Sequence, residues 1–307
     1  MDYRRANRAY LYTVLTTLAF FVLYAVWVVG GGAQMPLTIN NLLSESVLLL
    51  PVLAVVLYSG DRLSVVIPLR KIKISSVLLT VLYTALLYPL VTFINSISML
   101  FVDNAVLEIS DQILSMPIWT MVFFVGIFGP FVEEIVFRGV LLQSYQRSGR
   151  IIASIFLSSL LFGLAHMNFN QLAYGTVMGI AFALLVEATG SVLTSFICHM
   201  CFNTAEVLFM FAQKDALMDA SSMLESGELG DNLPFVIGIY FILALIGTVI
   251  ALCVAVKISD VEGRKAFFVN IPKCPKQGYK LITAPLIIGV VIVVLYMLLT
   301  EFLTSLV

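Results

Sequence analysis

Long apolar runs separated by short polar stretches organise this chain from end to end. Runs long enough to cross a bilayer fall at roughly 10–29, 42–58, 75–101, 117–143, 151–167, 171–188, 191–212, 234–256 and 281–303, measured against the ~20 residues a helix needs to span the hydrocarbon core. The second run is short for a full crossing. The fifth, sixth and seventh follow one another across brief polar breaks, Asn168 to Gln171 and Thr189 to Ser191, which read as tight helical hairpins. The pattern predicts an all-α fold: a polytopic transmembrane helical bundle of about eight or nine spans, forming one integral membrane domain over residues 1–307, with no internal repeat.

Composition agrees with the pattern. The chain is 61% hydrophobic and 11% charged, with mean hydropathy +1.04, which excludes an ordinary water-soluble domain. A net charge of -1 and the absence of a basic tract outside the loops argue against nucleic acid as a partner. The basic residues are unevenly placed. Of the 17 Lys and Arg residues, Arg4, Arg5, Arg8, Arg62, Arg70, Lys71, Lys73, Arg147, Arg150, Lys257, Arg264, Lys265, Lys273, Lys276 and Lys280 fall on one side of the alternating spans. Lys214 falls on the other, and Arg138 lies within a span.

Positive charge gathers in cytosolic loops, so the N-terminus is expected in the cytosol of a multi-pass protein of the bacterial plasma membrane. The first apolar run is too long for a cleaved signal and reads as a retained span. Residues 213–232 read as a mobile external loop and 257–280 as a basic cytosolic one. Cys198, Cys201, Cys253 and Cys274 suggest no disulfide framework, and the Cys198/Cys201 pair lacks the second ligand pair of a structural metal site.

Seven ionisable residues fall at bilayer depth: Glu133, Glu134, Arg138, His166, Glu187, His199 and Glu206. Each costs about 2.5–3.5 kcal/mol on insertion scales, and both histidines of the chain are among them. Glu134 and Arg138 are four apart on one helix face, where an ion pair offsets both charges. Glu133 points about 100° away and needs a partner from another helix. His199 and Asn203 share a face of the seventh span. A buried glutamate facing imidazole can hold a water and take its proton, while His199 and the Asn203 amide can donate to a developing oxyanion. Glu187 reads as interfacial, and Glu206 as a residue reaching water near its helix end.

Three motifs built from these residues, Glu133-Glu134-x-x-x-Arg138, Phe162-x-x-x-His166 and His199-x-x-x-Asn203, resemble those of the CAAX protease and bacteriocin-processing family, also called the abortive-infection family of intramembrane proteases. The resemblance covers about 117–212, a catalytic core of about four helices, and leaves the first three and last two spans as ordinary membrane helices. It implies glutamate-dependent hydrolysis: Glu133 as base, His166 helping to bind the water, Glu134 and Arg138 orienting and neutralising, and His199 and Asn203 forming the oxyanion site.

The implied partners are the lipid bilayer and a peptide or membrane-protein substrate, such as a prenylated C-terminus, a bacteriocin leader or a membrane-protein tail. No cofactor is expected; the alternative is zinc held by Glu133, His166 and His199. Two other functions fit the same residues. One is a catalytically silent scaffold or bacteriocin-immunity protein whose polar network fixes helix packing. The other is a proton-coupled transporter using the carboxylates and histidines as relays, although neither repeats nor broken helices support it.

Overall fold

A computed structural model describes residues 1–106, 109–214, 233–273 and 280–304. Regular structure among these residues is entirely helical. The long helices are α1 (Tyr3–Val29), α2 (Leu37–Tyr58), α3 (Ile74–Ser98), α4 (Ile118–Gln146), α5 (Ile151–Ala165), α6 (Phe169–Thr189), α7 (Val192–Ala212), α8 (Leu233–Val261) and α9 (Ala284–Thr304). All but α5 are long and apolar enough to cross a membrane, and the chain is a multi-pass membrane protein. Most of the expected external loop over 213–232, and the part of the basic loop that includes Cys274, lie outside the described residues.

The short span is not the one the apolar runs suggested. α2 begins at Leu37 and holds 22 residues, because Thr38, Asn40 and Asn41 continue the helix below the apolar run. α5 has 15 and rises only about 22 Å, short of a ~30 Å core. It stops where Met167 takes a left-handed backbone conformation, φ 58°, which a non-glycine residue adopts only when its surroundings hold it there. Asn168 then caps α6 by accepting from the Gln171 N–H at 2.7 Å. His166 therefore sits at the very end of a helix. The next hairpin turns on Gly190, φ 73°, where the expected brief break indeed occurs.

The basic segments gather at one end of the bundle. Asn7 donates to the Leu281 carbonyl and accepts from the Tyr145 hydroxyl, both at 2.8 Å. Ser191 donates to Arg70 O, Arg264 to Glu187 O, and Lys73 to Val261 O. One polar layer thus ties the ends of α1, α4, α6, α7 and α8 to the segments before α3 and α9. Glu187 belongs to this layer: it is buried and takes a hydrogen bond from Gln146.

α5 and α6 pack as an antiparallel pair, α6 and α7 pack in turn, and α3 lies along α8. At that last contact the bare Cα of Gly247 lets the backbones meet: a Cβ there would stand 2.3 Å from Leu86 O. Small residues permit such close approach between membrane helices. Gly247→Ala is expected to cost about 1–3 kcal/mol by overpacking, read as a lower melting temperature of the detergent-purified protein.

Candidate active site

The site is built on an irregular helix. Widened π-helical turns at Val122–Phe128 and Ile135–Leu141 bracket the α-helical turn Gly129–Glu134 in α4; such widenings recur at functional sites. In the first, the Gly129 N–H reaches back five residues to Phe124 O. The next bond in that register would come from Pro130, which has no N–H. The carbonyl left over, Val125 O, accepts from the Asn203 amide of α7 at 3.1 Å. One Asn203 N–H is therefore committed to α4 backbone, and the other remains for a second acceptor.

The second widened turn carries Arg138. Its guanidinium meets Glu134 at 3.0 Å, with both side chains fully buried, so the ion pair expected from the spacing is formed. Phe162 of α5 and Phe182 of α6 lie against the guanidinium, 4.1 and 4.9 Å from it. Such cation–π contacts supply part of what the charge loses on leaving water. Gly179 completes the socket, since a Cβ there would stand 2.9 Å from Ser159 Cα and 3.2 Å from Arg138 Nη2.

Glu133 finds its partner on α7. The His199 ring lies between both carboxylates, with Nδ1 at 3.1 Å from Glu134 Oε1 and Nε2 at 3.5 Å from Glu133 Oε2. A carboxylate only accepts, so Nδ1 donates to Glu134. The same two phenylalanines hold the ring: Phe182 stacks on it at 4.6 Å and Phe162 meets it edge-on at 5.6 Å. From the polar end of the bundle at Ser191, His199 is eight residues along α7, about 12 Å, so the site lies well inside the helical layer.

His166 joins less directly. Its ring meets Phe162 edge-on at 5.1 Å, and Nδ1 lies 3.0 Å from Phe162 O. A carbonyl acceptor puts the proton on Nδ1 and leaves Nε2 as an acceptor. His166 and Glu133 line one cavity of about 140 Å³ between α1, α2, α4 and the end of α5. The Glu133 side chain is 17% exposed, whereas Glu134 and Arg138 are sealed at 0%. Of the two adjacent glutamates, only Glu133 is open to an incoming molecule.

The expectation that the outer spans are ordinary helices fails for α1 and α2. Both line the cavity, and Glu45 of α2 lines it together with Glu133. Glu45 is not among the ionisable residues counted at bilayer depth from the sequence; with α2 starting at Leu37 it lies eight residues in. Glu206 stays outside the site: it is exposed and accepts from the Tyr88 hydroxyl. The zinc trio is not assembled, since no three His, Cys, Asp or Glu side chains among the described residues are arranged to hold a metal. Cys198 is buried and takes a contact from the Thr84 hydroxyl at 3.1 Å.

With this geometry in view, residues 115–205 match the Rce1-like family, type II CAAX prenyl endopeptidase Rce1-like. The match is confined to this segment. The membrane-embedded CAAX protease MroQ of Staphylococcus aureus (strain USA300) is 36% identical over 115 residues, which cover 36% of this chain and 47% of that protein. The "Putative membrane peptidase YdiL" of Bacillus subtilis (strain 168) is 32% identical over 101 residues, 33% of this chain and 40% of the other. The chain thus covers less than half the length of either relative. No solved structure matches it. The Rce1-like segment contains Glu133, Glu134, Arg138, His166, His199 and Asn203, and leaves α1, α2, α3, α8 and α9 outside.

Removing the guanidinium strands Glu134 in a sealed site. Arg138→Ala is expected to lose about 3–5 kcal/mol, and Arg138→Lys to recover only part of it, because an ammonium does not fill the planar slot between Phe162 and Phe182. Thermal melting of the purified variants checks both.

Proposed function

We propose that this chain is an intramembrane endopeptidase in which Glu133 activates water for peptide-bond hydrolysis. The observation that carries the reading is the His199 ring set between two carboxylates of which only Glu133 opens on a cavity. A glutamate placed there takes a proton from water held between it and the acceptor nitrogen of His166, and the hydroxide attacks the scissile carbonyl. With Nδ1 donating to Glu134, His199 donates to the oxyanion from Nε2 only as the imidazolium, protonated on both nitrogens, and the second N–H of Asn203 is the other donor, each worth several kcal/mol where water is excluded. Glu134 and Arg138 act on the reaction through His199, which they orient.

The Rce1-like match and the membrane proteases among the relatives support a peptide or membrane-protein substrate, with a prenylated CAAX terminus as the first to try. The bacterial relatives and the gathering of basic segments at one end support a bacterial plasma membrane with that end in the cytosol. Residues 117–212 form the catalytic core of a single membrane domain. The reaction is assigned to protein side chains alone, because Glu133, His166 and His199 are not gathered as a three-ligand group among the described residues.

Glu133→Gln keeps the shape and removes the base. Cleavage of a quenched fluorescent CAAX peptide by the reconstituted protein is expected to fall at least ~100-fold, the lower range of acid–base contributions, with the melting temperature nearly unchanged. Cleavage that survives the change rules Glu133 out as base. A wild-type protein that binds such peptides and never cuts them favours the silent scaffold. Prolonged chelation before the assay is expected to leave the rate unchanged, and activity lost to the chelator and restored by zinc alone would refute the assignment to side chains.

A further inference from the structure

Hydrolysis of an amide needs a second proton movement: the nitrogen leaves as an amine only if something protonates it as the C–N bond breaks. The residues gathered on α4, α5 and α7 supply a base and oxyanion donors, but no separate acid. The wall facing them holds a candidate.

Glu45 Oε1 lies against the backbone of α4, 3.2 Å from where a Cβ on Gly129 would stand. Gly129 is one helical turn before Glu133, so Glu45 reaches α4 on the face that carries Glu133. Both carboxyls line the same cavity and interact electrostatically. Glu45 Oε2 is buried without a hydrogen-bond partner. Two further buried groups of that wall share this condition: the hydroxyls of Tyr10, 3% exposed, and Thr13, 6% exposed, also lack partners and also line the cavity.

Buried polar groups cost free energy when left unpaired. Three of them on one wall, facing Glu133 and His166, mark a cavity shaped for a polar guest in otherwise apolar surroundings. No Lys or Arg is among the cavity's lining residues, so Glu45 has no cation there to balance a charge.

We infer that Glu45 is a further catalytic residue, the acid that protonates the leaving amine. The inference rests on Glu133 being the base. Water gives one proton to Glu133, and its oxygen bonds to the carbonyl carbon. The C–N bond then breaks as Glu45 passes its proton to the nitrogen, releasing a carboxylic acid and an amine. The proton on Glu133 returns to Glu45, directly or through one water, and both carboxyls are reset. Tyr10 and Thr13 hydrogen-bond the guest and position it between the two carboxyls.

The test compares a quenched CAAX peptide with its thiodepsipeptide analogue, in which the scissile nitrogen is replaced by sulfur, so that the thiolate leaves without a proton. Reconstituted full-length protein carrying Glu45→Gln is expected to cleave the amide at least ~100-fold more slowly while cleaving the thioester within about threefold of wild type. Retained thioester cleavage also reports a folded site. Equal loss on both substrates, or no loss on the amide, overturns the role.

If Glu45→Gln melts early, Glu45→Asp and Glu45→Asn, equal in length and differing in the acid, take its place. Amide cleavage restored by Asp and not by Asn supports the acid, and no difference between them overturns it. Glu133→Gln should lose both substrates. Should it keep both, the base assignment fails, whatever Glu45 does.

Discussion

The buried contact of Glu134 with Arg138 and His199 is the interaction on which the rest of this bundle depends. A carboxylate and a guanidinium sealed inside a membrane protein are each strongly unfavourable alone, and tolerable when they meet at 3.0 Å with aromatic faces around them. Bringing them together fixes four helices at once. α4 brings both charges, α5 and α6 bring Phe162 and Phe182, and α7 brings the imidazole that shares Glu134 Oε1. The arrangement leaves Glu133, one residue away and on another face, as the open member of the pair.

The irregularity of α4 serves the same end. A uniform α-helix would close its own hydrogen bonds and offer nothing to α7. Here Pro130 leaves the Val125 carbonyl to be met by Asn203, which locks the register of α7 against α4 four residues from His199. The strained end of α5 at Met167 similarly places His166 at the cavity rather than within a helix. These features bring side chains from separate spans to one place without long loops, which the bilayer would not tolerate.

Much of this was legible in the order of residues. The four-residue spacing of Glu134 and Arg138 gave their ion pair, the isolation of Glu133 implied a partner from another helix, and both histidines in apolar spans pointed to a site. Other features depend on register and were not legible. Periodicity treats a helix as uniform, so the π-helical turns of α4 were invisible, and with them the use of Asn203 on a backbone carbonyl. An apolar run marks where hydrophobic residues begin rather than where a helix does, so α2 looked five residues shorter than it is, and Glu45 was not counted among the ionisable residues at bilayer depth. Nor could spacing within one span show that α1 and α2 wall the cavity.

The central claim is that this membrane-buried glutamate and its imidazole partner cut peptide bonds in or near the membrane. The most direct measurement compares the membrane peptidomes of cells making the native chain and cells making an equal amount of its Glu133→Gln form. Shortened protein C-termini or released membrane-proximal peptides present only with the native chain are the expected result; identical peptidomes across both cell lines, with both proteins folded in the membrane, would contradict the claim.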